Sequence, residues 1–195
     1  MPMHDWTRVD PNDYHTFHLL WIASLATALN HHRLPQGYYA MADHTTPPVA
    51  RRRLAIKNAE DKQVVSVIEI VSPSDKVKLR EFARFVEDLV RLLQHCIHLT
   101  IIDPFPTNSV HSSVWEEFSG KGIDPNKDTS ASLVSFFVGN HPAAFVDDVA
   151  IGSVIPDMPL FLAENVHVSL PLEETYRTAW DGFPQPLRQL LEHSS

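Results

Sequence analysis

A single cysteine, Cys96, leaves no internal disulfide to be closed. Its neighbours Leu92, Leu93, Ile97 and Leu99 predict a buried helix end, the usual setting of a packed thiol rather than of a nucleophile. The six glycines are dispersed, so there is no glycine-rich loop to cradle phosphates and no cofactor motif. No stretch approaches the roughly 20 apolar residues that a membrane span needs. The start, Met1-Pro2-Met3-His4-Asp5-Trp6, has neither the basic nor the apolar region of a secretion signal, which makes the cytoplasm the expected location, away from membranes. Positive charge is scarce as well, with 16 Lys and Arg against 24 Asp and Glu and a net charge of −8. Broad nucleic-acid binding depends on counterion release at a basic surface and is not expected here, although a local basic contact stays open. The twelve histidines are scattered, and none shows the His-Glu-x-x-His spacing of a zinc protease. The two closest sets, His15/His18 and His31-His32, are expected to pack helices or face water rather than bind metal.

The chain does hold one apolar run that organises the rest, Val64-Val65-Ser66-Val67-Ile68-Glu69-Ile70-Val71. Its β-branched content predicts a strand buried on both faces, and Ser72-Pro73-Ser74-Asp75 predicts a turn that opens a helix. Glu69 lies inside this strand. An unpaired carboxylate loses its hydration on burial, so a cation, a metal, a hydrogen-bond donor or a proton has to meet it.

Cap and proline signals at Val9–Asp13 predict a helix over about Tyr14–Asn30, with Phe17, Trp21, Leu25, Ala28 and Leu29 on one face. Tyr38–Asp43 reads as a strand, His44–Pro48 as a loop and Arg51–Lys57 as a second strand. The turn Asn58–Asp61 makes this second strand an antiparallel neighbour of Val64–Val71. Arg51, Arg52 and Arg53 could neutralise phosphate or a carboxylate, but a basic edge strand that resists aggregation is the favoured reading. Asp75–His95 alternates apolar with charged residues as an amphipathic helix does. Ile97–Asp103 is a further apolar strand, closed by Pro104 and Pro106, and strand-helix-strand of this length predicts a parallel pair joined by a right-handed crossover. Beyond it, Val110–Phe118 predicts a short helix and Ser119–Thr129 a polar loop. Leu133–Val138 and Ala144–Ala150 predict strands, Ile155–Leu162 an extended segment, Leu170–Trp180 a last long helix, and Pro184–His193 a tail of a helical turn or two. The fold class is therefore α/β: a mixed sheet with an antiparallel hairpin and a βαβ crossover, an N-terminal helix and a C-terminal extension. One domain is expected over residues 1–195, its core at about 14–106 and its extension at about 107–195.

Several segments together resemble a known family. They are Met3–Val9, Tyr14-His15-Thr16-Phe17-His18, Leu34–Ala40, Ile68-Glu69-Ile70-Val71-Ser72-Pro73-Ser74-Asp75-Lys76, Ile97–Asp103 and Pro156–Leu162, and they are similar to the bacterial domain-of-unknown-function 4058 family over nearly the whole chain. That family has no established activity. Its core pattern is in turn similar to the Uma-type restriction-endonuclease-like proteins of the PD-(D/E)XK superfamily. This second, fold-level resemblance implies a restriction-endonuclease-like core in which Glu69 and Asp43 are metal ligands for Mg²⁺ and Lys76 assists the attacking water. The chain departs from the pattern in two places: Asp43 runs almost directly into Thr45-Thr46-Pro47-Pro48-Val49, and Glu69-x-Val71 lacks a lysine two residues on.

Two functional expectations follow. The favoured one is a degenerate nuclease-like α/β domain that acts as a binding or assembly module with an unassigned partner. The alternative is a Mg²⁺-dependent phosphodiesterase or nuclease that uses Glu69, Lys76 and Asp43. A structural role is held open for the same groups, in which Glu69 pairs with Lys76 or caps the amides of Ser72–Lys76. Asp103 could join the same cleft, although an Asp before Pro more commonly starts a turn.

Overall fold

The computed structural model describes residues 2–44, 52–105, 109–122 and 130–192. The expected loop Thr45–Pro48, Arg51, the strand-closing Pro106 and residues 123–129 of the expected polar loop lie outside the described residues. Asp10 accepts a hydrogen bond from the Asn12 backbone N–H and, with Pro11 in the first turn, starts helix α1 (Pro11–Ala28). A π-helical turn, Leu29–Arg33, carries the chain to Leu34 and Pro35. A meander follows: β1 (Tyr38–His44), β2 (Arg52–Asn58) and β3 (Val64–Ile70). Helix α2 (Leu79–Gln94) crosses over to β4 (His98–Asp103), which lies parallel to β3. Next come α3 (Val110–Ser119), β5 (Ser130–Phe137) and β6 (Ala143–Ala150). A separate hairpin, β7 (Met158–Ala163) and β8 (Val166–Leu170), precedes α4 (Leu172–Asp181) and α5 (Gln185–Glu192).

The strands β1-β2-β3-β4-β5-β6 form one mixed sheet in sequence order, in which β3 and β4 are the parallel pair and the other pairs are antiparallel. This is the expected α/β architecture with its hairpin and crossover. Side chains alternate across the sheet, so each strand feeds two cores. Leu54, Ile56, Ile68, Ile70 and Ile102 pack into one that also holds Trp6, Tyr14, Phe17 and Trp21, together with Tyr176 and Trp180 of α4. Val67, Val71, Leu99, Ile101, Val134 and Phe136 pack under α2 and α3 into the other. The residues past 106 thus contribute β5, β6 and α4 to this same framework, with α4 lying along α1.

Four local expectations are corrected. Helix α2 begins at Leu79, not at Asp75, because the Asp75 carboxylate accepts from the Ser72 backbone N–H (3.0 Å) and closes a 3-10 turn, Pro73–Asp75, after which Lys78 is extended. Lys76 accordingly sits in that turn rather than on the helix. β2 is an interior strand between β1 and β3, so its arginines do not guard an edge. The extended segment near Ile155–Leu162 is the first arm of a hairpin whose second arm, β8, is too short and too polar to stand out in the sequence. Cys96 is exposed: it terminates α2 in the left-handed region (φ 60°), where the chain turns its side chain away from the apolar neighbours that had predicted burial.

At the amino end, His4 is buried, its Nδ1 2.8 Å from the Tyr176 hydroxyl and its ring stacked 3.7 Å from that of Trp180. Burial, aided by the positive chain terminus, lowers its pKa to about 4.

Two outcomes are expected. Left-handed backbone penalises any residue with a Cβ, so Cys96→Gly should raise stability by about 0.5–1 kcal/mol in urea unfolding, and a loss would contradict the assigned turn. His4 binds its proton less readily folded than unfolded, so its contribution is complete above pH 6.5 and is lost as the pH falls towards 4. That loss amounts to at most about 3 kcal/mol, reduced by solvent screening, and should be missing from the unfolding profile of His4→Phe.

Candidate functional site

Glu69 turns to the α2–α3 face of the sheet, since its neighbours Ile68 and Ile70 belong to the opposite core. Only 3% of it is exposed, which leaves it the costly carboxylate that its strand predicted. The cation that meets it comes from β2. Leu54 stands opposite Ile68 in the ladder, and one step further along Arg53 reaches Glu69, with Nε 2.6 Å from Oε2. Both atoms are shielded from water, and both side chains are buried. The cation at Glu69 is thus one the sequence had offered only in general terms, an arginine neutralising a carboxylate, while the expected partner Lys76 is found against Asp103 and the Ser72 amide against Asp75.

Asp43 was expected to stand beside Glu69. It lies in β1 directly across the ladder from Arg53, and its carboxylate is outside the described residues. Because β2 intervenes, the backbones at Asp43 and Glu69 are two strand spacings apart, roughly 10 Å. Along the backbone, the row across the sheet therefore runs Asp43, Arg53, Glu69.

Lys76 reaches back from its turn to the end of β4, where its Nζ lies 2.6 Å from Asp103 Oδ2 and donates to the Phe105 carbonyl at 2.7 Å. Asp103 is also buried, and its Oδ1 accepts from the Phe105 backbone N–H at 3.1 Å, the turn-initiating bond expected of an Asp before Pro. Val110, the first residue of α3, gives it a further backbone hydrogen bond, which places the carboxylate at a helix amino end. Burial nevertheless dominates: it pushes Asp103 up to about 6, against the pull of Lys76 and the two amides. Burial likewise lowers Lys76, with Asp103 and Asp75 opposing. Asp103 does join the Glu69 face, two residues beyond Ile101, which stands opposite Glu69.

The same face holds residues that the sequence did not single out. Ser132 lies across from Asp103, and Asp148 across from Ser132. His111 is buried above them, with Nδ1 2.7 Å from Ser132 Oγ and 3.2 Å from Ser109 Oγ. Burial lowers its pKa, while Asp148 raises it and Lys76 lowers it. Nothing in the spacing of 111, 132 and 148 marks them beforehand, because the register of β5 against β4 and β6 brings them together. The carboxyl ends of the parallel strands thus carry a compact polar layer of paired charges under two helices.

His18 is buried against the Tyr14 ring, while His15 is exposed. His31 and His32 are exposed on the π-helical turn, where with Ser24, Thr27, Glu174 and Thr178 they line an open groove of about 480 Å³ between α1 and α4. Among the described residues, no group of three or more His, Cys, Asp or Glu side chains is arranged to hold a metal ion. Comparison of the chain with protein-family models, with curated proteins and with solved structures finds no match.

Removing one member of a buried ion pair strands the other. Arg53→Met and Glu69→Leu should each cost about 3–5 kcal/mol in denaturant unfolding, and the double variant should cost much less than their sum. Additive losses would mean that the two groups do not interact.

Proposed function

We propose that the chain is a binding or assembly module, a nuclease-like frame whose catalytic positions have been given over to internal ion pairs. The frame reading is supported by the order α1-β1-β2-β3-α2-β4, with β3 and β4 parallel and α1 and α2 on opposite faces of the sheet. It also draws on the resemblance to the domain-of-unknown-function 4058 family and, through it, to restriction-endonuclease-like proteins.

The observation that carries the proposal is the Arg53 guanidinium 2.6 Å from the Glu69 carboxylate. Mg²⁺ needs carboxylate oxygens at about 2.1 Å in octahedral geometry. A guanidinium buried against Glu69 holds the position that such an ion would take, and its positive charge repels one. Asp103, the other deeply buried acid of this face, is held by Lys76 and by two backbone N–H groups. The donor set does not fit a divalent cation, and the alternative reading, a Mg²⁺-dependent phosphodiesterase built on Glu69, Lys76 and Asp43, has correspondingly little support.

Calorimetric titration with Mg²⁺ and Mn²⁺ separates the two. Wild type and Glu69→Gln should both give no saturable heat, and neither should hydrolyse a phosphodiester such as bis-p-nitrophenyl phosphate or plasmid DNA. Saturable binding that disappears in Glu69→Gln, together with metal-dependent hydrolysis by the wild type, would overturn the proposal.

A further inference from the structure

The sheet ends in two edge strands that are treated differently. At the first, β1, the Asn30 side chain acts as a substitute strand: its Nδ2 donates to the Ala40 carbonyl (2.9 Å) and its Oδ1 accepts from the Ala40 N–H (2.7 Å). That edge is closed at its middle. At the other, β6 runs eight residues in unbroken register with β5, from the Ser130–Ala150 pair to the Phe137–Ala143 pair. Every second residue of such a strand turns its N–H and C=O away from its neighbour. Among the described residues, β6 pairs with β5 alone. Of the usual protections of an edge it carries charge alone, in Asp147 and Asp148, and has no proline, no lysine and no bulge.

The side chains of β6 are patterned. Phe145 is 48% exposed and Val146 39% exposed, and Asp147 and Asp148 follow them directly. By alternation, Phe145 and Asp147 flank the edge on one face of the sheet, while Val146 and Asp148 flank it on the other. A strand laid against this edge would meet an apolar group and then an acid on each of its faces. A second copy of this chain fits less well than a basic guest, because β6 paired with itself about Val146 sets Asp147 against Phe145 and Asp148 against Ala144, supplies neither acid with a cation, and adds two chains of net charge −8.

We propose that β6 is a docking edge for an extended segment of a partner protein that bears two basic residues beside two apolar ones, bound by strand addition. This identifies the partner class of the binding module proposed above and rests on that reading. The order of the β6 residues sets the order in the guest: basic-basic-apolar-apolar for antiparallel addition, and apolar-apolar-basic-basic for parallel. Main-chain hydrogen bonds would hold the guest, and the two acids would select it.

The test is fluorescence anisotropy with two short labelled peptides, one built around Lys-Arg-Val-Val and one around Val-Val-Arg-Lys. One of them should bind the full chain more tightly at low salt. N-methylation of its alternate amides should abolish binding in one phase of the alternation and spare it in the other. Asp147→Lys should weaken binding about tenfold or more, and a peptide with glutamate in place of only the basic residue that faces position 147 should recover it. The proposal is overturned if neither peptide binds at about 1 mM, if N-methylation in either phase has no effect, or if the chain instead self-associates through β6. Failure here leaves the Arg53–Glu69 argument standing, whereas metal-dependent hydrolysis would defeat the module reading without touching the peptide result.

Discussion

An acid on a strand buried from both sides cannot remain alone, and the arrangement of the candidate site follows from how this chain satisfies Glu69. The answer is a neighbour on the adjoining antiparallel strand. Side-chain alternation makes that answer demanding, because a slip of one residue between β2 and β3 would send Arg53 into the aromatic core beside α1 and leave Glu69 stranded on the other face. The pair therefore acts as a register pin as well as a charge match. Whether it adds net stability over an apolar pair is a separate matter, since desolvating two ions offsets much of their attraction.

A second pair repeats the logic at the end of the parallel strand. Asp103 closes β4, starts the turn to Phe105, meets the first amide of α3 and takes Lys76 from the turn after β3. The two crossover ends are thereby tied to each other beneath the helices. In open α/β sheets, this is the region where ligand sites commonly form. Here it is filled by the chain's own cations, with His111 and Ser132 completing the layer. The open groove between α1 and α4 lies outside this layer.

Much of this fold was legible in the sequence. The apolar run around Glu69, the amphipathic helix after it and the apolar strand ending in Asp103 announced the crossover, and the Asn58–Asp61 turn announced the hairpin. The identity of the cation at Glu69 was not legible, because the β2–β3 register shifts between Ile56 and Lys57 and Lys62 takes a left-handed turn conformation. Counting residues back from the turn does not reach Arg53 reliably across such a bulge. Lys76 was misplaced because Ser72 and Asp75, which read as helix-start signals, close a single 3-10 turn instead. Cys96 was misread because apolar neighbours in sequence are neighbours in space only while the helix continues. His111, Ser132 and Asp148 converge through tertiary pairing alone, and no local pattern could have named them.

An Arg53 guanidinium locked against Glu69 would close this carboxylate to metal ions. The side-chain Nε–Hε resonance of Arg53, followed by NMR during Mn²⁺ addition, tests it most directly. A resolved, exchange-protected signal that Mn²⁺ does not broaden beyond the exposed arginines is expected. A signal averaged with solvent-exposed arginines, or one selectively broadened by Mn²⁺ at low concentration, would contradict it.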